Sequence, residues 1–107
     1  MSRVKRTSRE TLARAVSERD FMESVIEYAE LLEWLVFRVH DSRRSPEGWP
    51  DLSMARDDRL LFAELKRVSE KPTGHQRVWL TTLVSTGRCE VHIWTPLDWP
   101  LIEERLR

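Results

Sequence analysis

Apolar residues along the chain recur first at helical spacing, then at strand spacing, then repeat that change. Phe21, Val25, Ala29 and Leu32 fall at i, i+4, i+8 and i+11 with Met22 and Ile26 beside them, which predicts an amphipathic helix to about Glu33. Ser17 is a capping residue at its head, and Glu18 and Asp20 put acids in the first turn, where the helix dipole favours them. Residues 34–40 (WLVFRVH) are β-branched and aromatic and read as a strand. Residues 41–48, with Ser, Pro and Gly, read as an irregular loop. Two short apolar runs follow, Asp51–Met54 and Leu60–Lys66, with a polar turn over 55–59 between them, so they read as a hairpin; Pro50, which lacks an N–H, suits its start. After a polar connection, Thr73 or Gly74 opens a second helix to about Ser85, with Trp79, Leu80, Leu83 and Val84 as its expected buried stripe and Gly87 as its stop. Residues 89–94 (CEVHIW) alternate as a further strand. A final short helix over 99–106 places Trp99, Ile102 and Leu106 for packing on the sheet or on a second subunit. The order predicts an α/β fold with an αβββαβ core, a mixed sheet flanked by helices, and a short C-terminal helix.

The strand arms carry the chemistry. Alternate side chains of a strand share a face, so Glu64 and Lys66 emerge together while Leu65 turns to the core. Pairing the two arms brings Asp51 beside Glu64. Two carboxylates held together repel each other and favour a hard divalent cation, with oxygen ligands and retained waters. A lysine at the same edge orients or deprotonates a water, or neutralises charge on a phosphate, which is equipment for phosphodiester hydrolysis.

Composition narrows the setting. A chain of 107 residues is enough for one domain with a single core. Its 18 basic and 18 acidic residues cancel, so no global positive field announces a nucleic-acid partner, and only the distribution of charge can supply one. Residues 1–17 are locally basic, with Arg3, Lys5, Arg6, Arg9 and Arg14 against Glu10; they read as a solvated, partly disordered and flexible arm or as a phosphate-contacting tail. The lone Cys89 excludes an internal disulfide and a cysteine zinc site, and reads as a small buried residue. No apolar run nears the ~20 residues of a membrane span, and no signal-peptide core is present, so a soluble, cytoplasmic protein is expected. His40 has no second ligand at metal spacing and reads as a strand-end residue, and His75 as a surface one.

The pattern Gly48-Trp49-Pro50-Asp51, then Phe62-Ala63-Glu64-Leu65-Lys66, then Gln76-Arg77-Val78-Trp79-Leu80 resembles the VRR-NUC (virus-type replication-repair nuclease) branch of the PD-(D/E)XK nucleases. Twelve residues separate Asp51 from Glu64, and the similarity spans roughly residues 18 to 104. A lone Pro-Asp with a later Glu-x-Lys arises often by chance; the Gly before it, the Gln-x-x-Trp-Leu after it and the closing strand make the match more specific. The resemblance implies that an acid near the start of the first helix joins the metal site, with Glu18 at the matching position and Glu23 second to it. It also implies that Gln76 completes the site by positioning Lys66 or water. Met22 departs from the family, which often has Gln there. Trp49 is open to two readings, packing inward or stacking on bases.

These readings converge on an expectation of a Mg²⁺- or Mn²⁺-dependent deoxyribonuclease. Asp51, Glu64, the Leu65 carbonyl and Glu18 would hold the metal, and Lys66 and Gln76 would serve the water. Arg43 and Arg44 would hold backbone phosphates with Ser42 and Ser45 shaping their loop, and Lys71 and Arg67 would line the DNA path. Stand-alone members of the family, phage- or prophage-encoded forms among them, resemble Holliday-junction resolvases. Paired nicks need two sites, so a homodimer acting on branched DNA is expected. The alternatives are a nuclease acting on flap or duplex DNA, and a non-catalytic DNA-binding module that kept the fold.

Overall fold

The computed structural model describes residues 7–39 and 42–107, with the main chain alone at Ser42. The element order is α1 (Ser8–Ala15), α2 (Glu18–Leu31), β1 (Leu35–Arg38), a 3₁₀ turn (Ser42–Arg44), β2 (Leu52–Arg56), β3 (Arg59–Leu65), α3 (Gly74–Ser85), β4 (Glu90–Trp94), a second 3₁₀ turn (Pro96–Asp98) and α4 (Trp99–Leu106). The four strands form one mixed sheet in the order β1-β2-β3-β4. β1, β2 and β3 pair antiparallel, whereas β3 and β4 pair parallel across the α3 crossover. The expected α/β class, core order and short C-terminal helix are therefore what the chain adopts. Arg3, Lys5, Arg6, His40 and the Ser42 side chain lie outside the described residues.

The helix ends follow local chemistry. Ser17 Oγ accepts the Asp20 N–H at 3.0 Å and starts α2. At the other end Glu33 takes a left-handed φ of 68°, and the Glu33 and Trp34 N–H groups reach back to the Glu30 and Ala29 carbonyls. This is a Schellman stop made without glycine, and it turns the chain directly into β1. In the stretch read as a basic arm, Thr7 caps α1, a helix that the charge pattern did not predict.

Alternation splits the sheet into two faces. Leu52, Met54, Leu61, Ala63, Leu65 and Trp94 face α2 and α4, where Phe21, Val25, Ala29, Ile102 and Leu106 complete a closed core. On the opposite face α3 covers only the β3–β4 side: Leu80 is buried, but Val84, expected in the stripe, is exposed. The hairpin turn is tighter than expected. Arg56 pairs with Arg59, leaving Asp57 and Asp58 as the turn, with Asp57 at a φ of 54° that aspartate tolerates better than most side chains.

Candidate active site

Leu52 pairs with Ala63, so the next residue out on each arm sets Asp51 beside Glu64 at the open end of the sheet. The two are bound reciprocally. The Asp51 N–H donates to Glu64 Oε1 at 3.3 Å, and the Leu65 N–H donates to Asp51 Oδ2 at 2.8 Å. Lys66, two residues beyond Glu64 on the same face, sets Nζ 3.4 Å from Glu64 Oε2. Glu64 is 1% exposed and Lys66 7%, the two buried charged side chains among the described residues. Charges are buried at this cost only when paired and hydrogen-bonded.

Burial and the neighbouring Asp51 charge push the Glu64 carboxyl up to about 7, against the pull of Lys66. Asp51 is also raised, by burial first; hydrogen bonds from the Leu65 N–H and the Glu64 carboxyl, then Lys66, hold it back. The two acids thus sit close enough to share a proton, and a second positive charge would relieve both. Glu18, at the first turn of α2, is raised by partial burial and then by the charges of Glu70 and Asp51, so it stands within electrostatic reach of the pair. Glu23 turns away to an exposed ion pair with Arg19 at 3.3 Å. Among the described residues no three His, Cys, Asp or Glu side chains group closely enough to hold a metal by themselves. Asp51 and Glu64 present oxygen donors only, the set a hard divalent cation takes, and main-chain carbonyls and water would complete it.

Gln76 belongs to the opposite wall. Thr73 Oγ1 accepts the Gln76 N–H at 3.3 Å, and Gln76 Oε1 accepts the Thr73 N–H at 2.8 Å, a capping box that opens α3. With its oxygen so engaged, the Gln76 NH₂ is the group left for the open cleft of about 470 Å³ that Gln76 lines together with Asp51, Arg43, Ser45 and Glu47. Gly48 makes that wall possible. At a φ of 89° it lies so close to α3 that a Cβ would come within 2.4 Å of the His75 carbonyl group and 2.7 Å of the Gln76 nitrogen. Trp49 is half-buried and packs edge-on to Trp79 at 4.8 Å and to Phe62 at 5.7 Å, the inward contact of its two readings. His75 is a surface residue, 3.5 Å from Glu47. Arg43 and Arg44 stand exposed on the 3₁₀ turn beside the cleft, and Lys71 and Arg67 are exposed on the connection after β3.

One acid escaped the pattern. Glu70 caps the turn after Lys66, accepting the Arg67 N–H at 3.2 Å, and its charge acts on both Glu18 and Asp51. The turn is made by Ser69 at a left-handed φ of 72°. A serine carries no signal for that conformation, so sequence spacing alone did not bring Glu70 to the site.

No family model matches the chain, and neither does any curated protein. A solved structure described as "VRR_NUC domain" superposes on 84% of this chain and 97% of its own length, with a TM-score of 0.68 and 24% identity. The chain has the fold of a VRR_NUC domain, as the resemblance in its sequence implied.

Proposed function

We propose that the protein is a divalent-metal-dependent DNA endonuclease that nicks four-way junctions or related branched DNA as a homodimer. The observation that carries this reading is the triad itself: half-buried Asp51 and buried Glu64 side by side on adjacent strand ends, with the buried Lys66 ammonium 3.4 Å from Glu64. Asp51 lies at the open end of the sheet and lines the cleft there together with Gln76.

Asp51, Glu64 and the Leu65 carbonyl would hold Mg²⁺ or Mn²⁺, with Glu18 reaching the same site from α2. A bound ion supplies Lewis acidity toward a phosphate oxygen and a lowered pKa for water. The chain's own residues do the rest. The reciprocal hydrogen bonds between the arms fix both carboxylates before any substrate arrives, so little ordering is left to the reaction. Lys66 orients a water and offers positive charge where a phosphate gains negative charge. The Gln76 NH₂ donates from the facing wall, held in that orientation by Thr73. Arg43 and Arg44 on the turn beside the cleft, and Lys71 exposed on the connection after β3, contact backbone phosphates and supply the local charge that the neutral chain lacks overall.

Cleavage of a labelled four-way junction, beside matched flap and duplex DNA, tests this with Mg²⁺, Mn²⁺ or EDTA and with Glu64→Ala. Paired nicks that need both metal and Glu64 support the proposal. Cutting confined to flap or duplex would change the substrate and keep the chemistry. Binding without cutting under every condition would reduce the protein to a DNA-binding module.

A further inference from the structure

The register of the sheet sets a second row of side chains beside the row that carries the acids. Val39 falls opposite Asp51, its nitrogen 3.4 Å from the Asp51 carbonyl oxygen, and Asp51 falls beside Glu64. Two residues along each strand, and on the same face, stand Phe37, Ser53 and Phe62, which pair in that order across β1, β2 and β3. Diagonal neighbours of paired strands lie about 7–8 Å apart, so Phe37 stands at that distance from Asp51 on the face that bears Glu64.

The two rings differ in what covers them. Phe62 is buried against Trp49, whereas Phe37 is 62% exposed, with Leu35 and Leu60 exposed beside it. These three line a shallow hollow of about 240 Å³ together with Ser53 and Ala55, and no residue lining it is charged. The Ser53 hydroxyl is shielded there and has no hydrogen-bond partner.

One end of this strip is therefore the cleft that Asp51, Val39 and Arg43 line, and the other is a bare aromatic ring in an uncharged surface. A ligand that covers both is anionic at one end and flat with an apolar face at the other. A nucleotide has that form, its phosphate and its base being joined across the sugar over a comparable reach. An apolar peptide would leave the charged end unused. In continuous duplex each base is already stacked on both faces, so the base that meets Phe37 is one freed at a branch point or flap.

We propose that Phe37 is a stacking platform for an unpaired nucleobase next to the phosphate held at Asp51 and Glu64, and that it selects branched DNA over continuous duplex. Every base has a π-face, so the selection is for an unstacked base and not for a sequence. The proposal deepens the proposed function by assigning substrate choice to one ring, and it rests on that reading for its ligand.

The experiment uses the full chain in EDTA and reads binding by the anisotropy of a labelled flap and of its matched duplex. Phe37→Ala should weaken flap binding about tenfold or more and leave duplex binding and the circular dichroism spectrum unchanged. Phe37→Trp should bind as well as wild type or better, whereas Phe37→Leu, apolar but without a ring, should bind as poorly as Phe37→Ala. An abasic nucleotide moved stepwise along the strand beside the branch should weaken wild type at one position. There it should cost Phe37→Ala nothing further, the non-additivity expected of a direct contact. Equal losses on flap and duplex, full binding by Phe37→Leu, or no position coupled to Phe37 overturns the platform. So does a concentration-dependent dimer in sedimentation that Phe37→Ala abolishes, which would assign the ring to a second copy. Cutting with Mn²⁺ is scored separately: coupled binding with no cutting of any DNA overturns the nuclease reading alone, and a Phe37→Ala variant that still prefers branched DNA overturns the platform alone.

Discussion

The Asp51 N–H donates to Glu64 Oε1, and the residue after Glu64 returns the bond through the Leu65 N–H to Asp51 Oδ2. Each carboxylate is therefore held by the strand that carries the other. The arrangement is rigid and electrostatically costly, and its cost is readable as a dependence of stability on pH.

Glu64 titrates near 7 in the folded chain, against an ordinary value of 4.5. The folded state thus binds this proton more tightly than the unfolded state does. The resulting stability is fully present below the unfolded value and is lost as pH rises through about 7. Glu64→Gln removes this titration. Denaturant melts in EDTA should show wild type losing stability relative to the Gln variant between pH 4.5 and about 7, by a few kcal/mol at most. Above that range the difference should be flat. Saturating Mn²⁺ at pH 8 should raise the wild-type Tm and leave that of the Gln variant nearly unmoved. Parallel pH curves for the two proteins would remove the coupled pair from the account of the site.

Lys66 serves the reaction through its charge, while its buried stem serves packing. Lys66→Met keeps the stem. Single-turnover cleavage should fall by at least about 100-fold, the scale of a positioned proton-transfer or charge-stabilising group. The Mn²⁺-dependent rise in Tm should persist, because both carboxylates remain. Loss of metal stabilisation together with activity would place Lys66 in the upkeep of the carboxylates instead.

Much of this was legible in the sequence because the apolar runs and the capping residues mark their elements directly. The hairpin turn was read as five residues centred on Asp57 and is two, centred between Asp57 and Asp58, and that half-residue shift sets Asp51 opposite Glu64. The capping signals at Ser17 and Thr73 gave both helix starts correctly. What stayed hidden depended on tertiary contact or on backbone conformations adopted by residues that do not advertise them. α1 reads as a charged arm because Ala13 alone among its residues is buried. Glu33 and Ser69 take left-handed φ values that would ordinarily call for glycine or asparagine. The inward packing of Trp49 needed Trp79, thirty residues away, to be brought against it.

Gly48 and Gly74 make a matched pair of tests for the cleft wall. An alanine at 48 must hold a φ of 89° and push Cβ into the His75 main chain, which has no flexible end to yield. A cost of about 2–4 kcal/mol is expected, hence a Tm lower by roughly 10 °C or more. Cleavage should fall further than the folded fraction does, because the displaced loop moves Asp51 away from Gln76. At Gly74 a Cβ meets nothing within 4 Å, and Ala should be neutral or slightly stabilising. Equal effects at the two positions would show that the Gly48 contact does not organise the site.

At the opposite end of the sheet Arg59 closes the fold without touching the site. Its guanidinium holds Glu90 with two bonds of 2.7 Å, donates to the Arg105 carbonyl of α4 and to that of Arg107 just beyond it, and lies over the Trp34 ring with Arg56. Arg59 also draws the Glu90 carboxyl below its ordinary value. Arg59→Ala should cost about 1.5–3 kcal/mol, with the cleavage rate per folded molecule unchanged. Arg59→Lys should recover little of it, since one ammonium cannot make the fork. Chemical denaturation and single-turnover rates on the same samples separate the two effects.

Arg43 and Arg44 stand exposed on the 3₁₀ turn beside the cleft, and Arg43 lines it together with Asp51. If both hold phosphates, each releases about 0.9 counterion on binding duplex DNA, so replacing both with Ala should lower the slope of log affinity against log salt by roughly 2. Affinity at low salt should fall, while binding at high salt, where that contribution is already screened, should change much less. Metal binding followed by Tm should be unaffected, because neither side chain belongs to the carboxylate pair. Titrations of a labelled junction across a salt series, run in EDTA to prevent cutting, measure the slope directly. An unchanged slope with weakened binding would mean that the two arginines shape the loop around Asp51 without contacting the backbone.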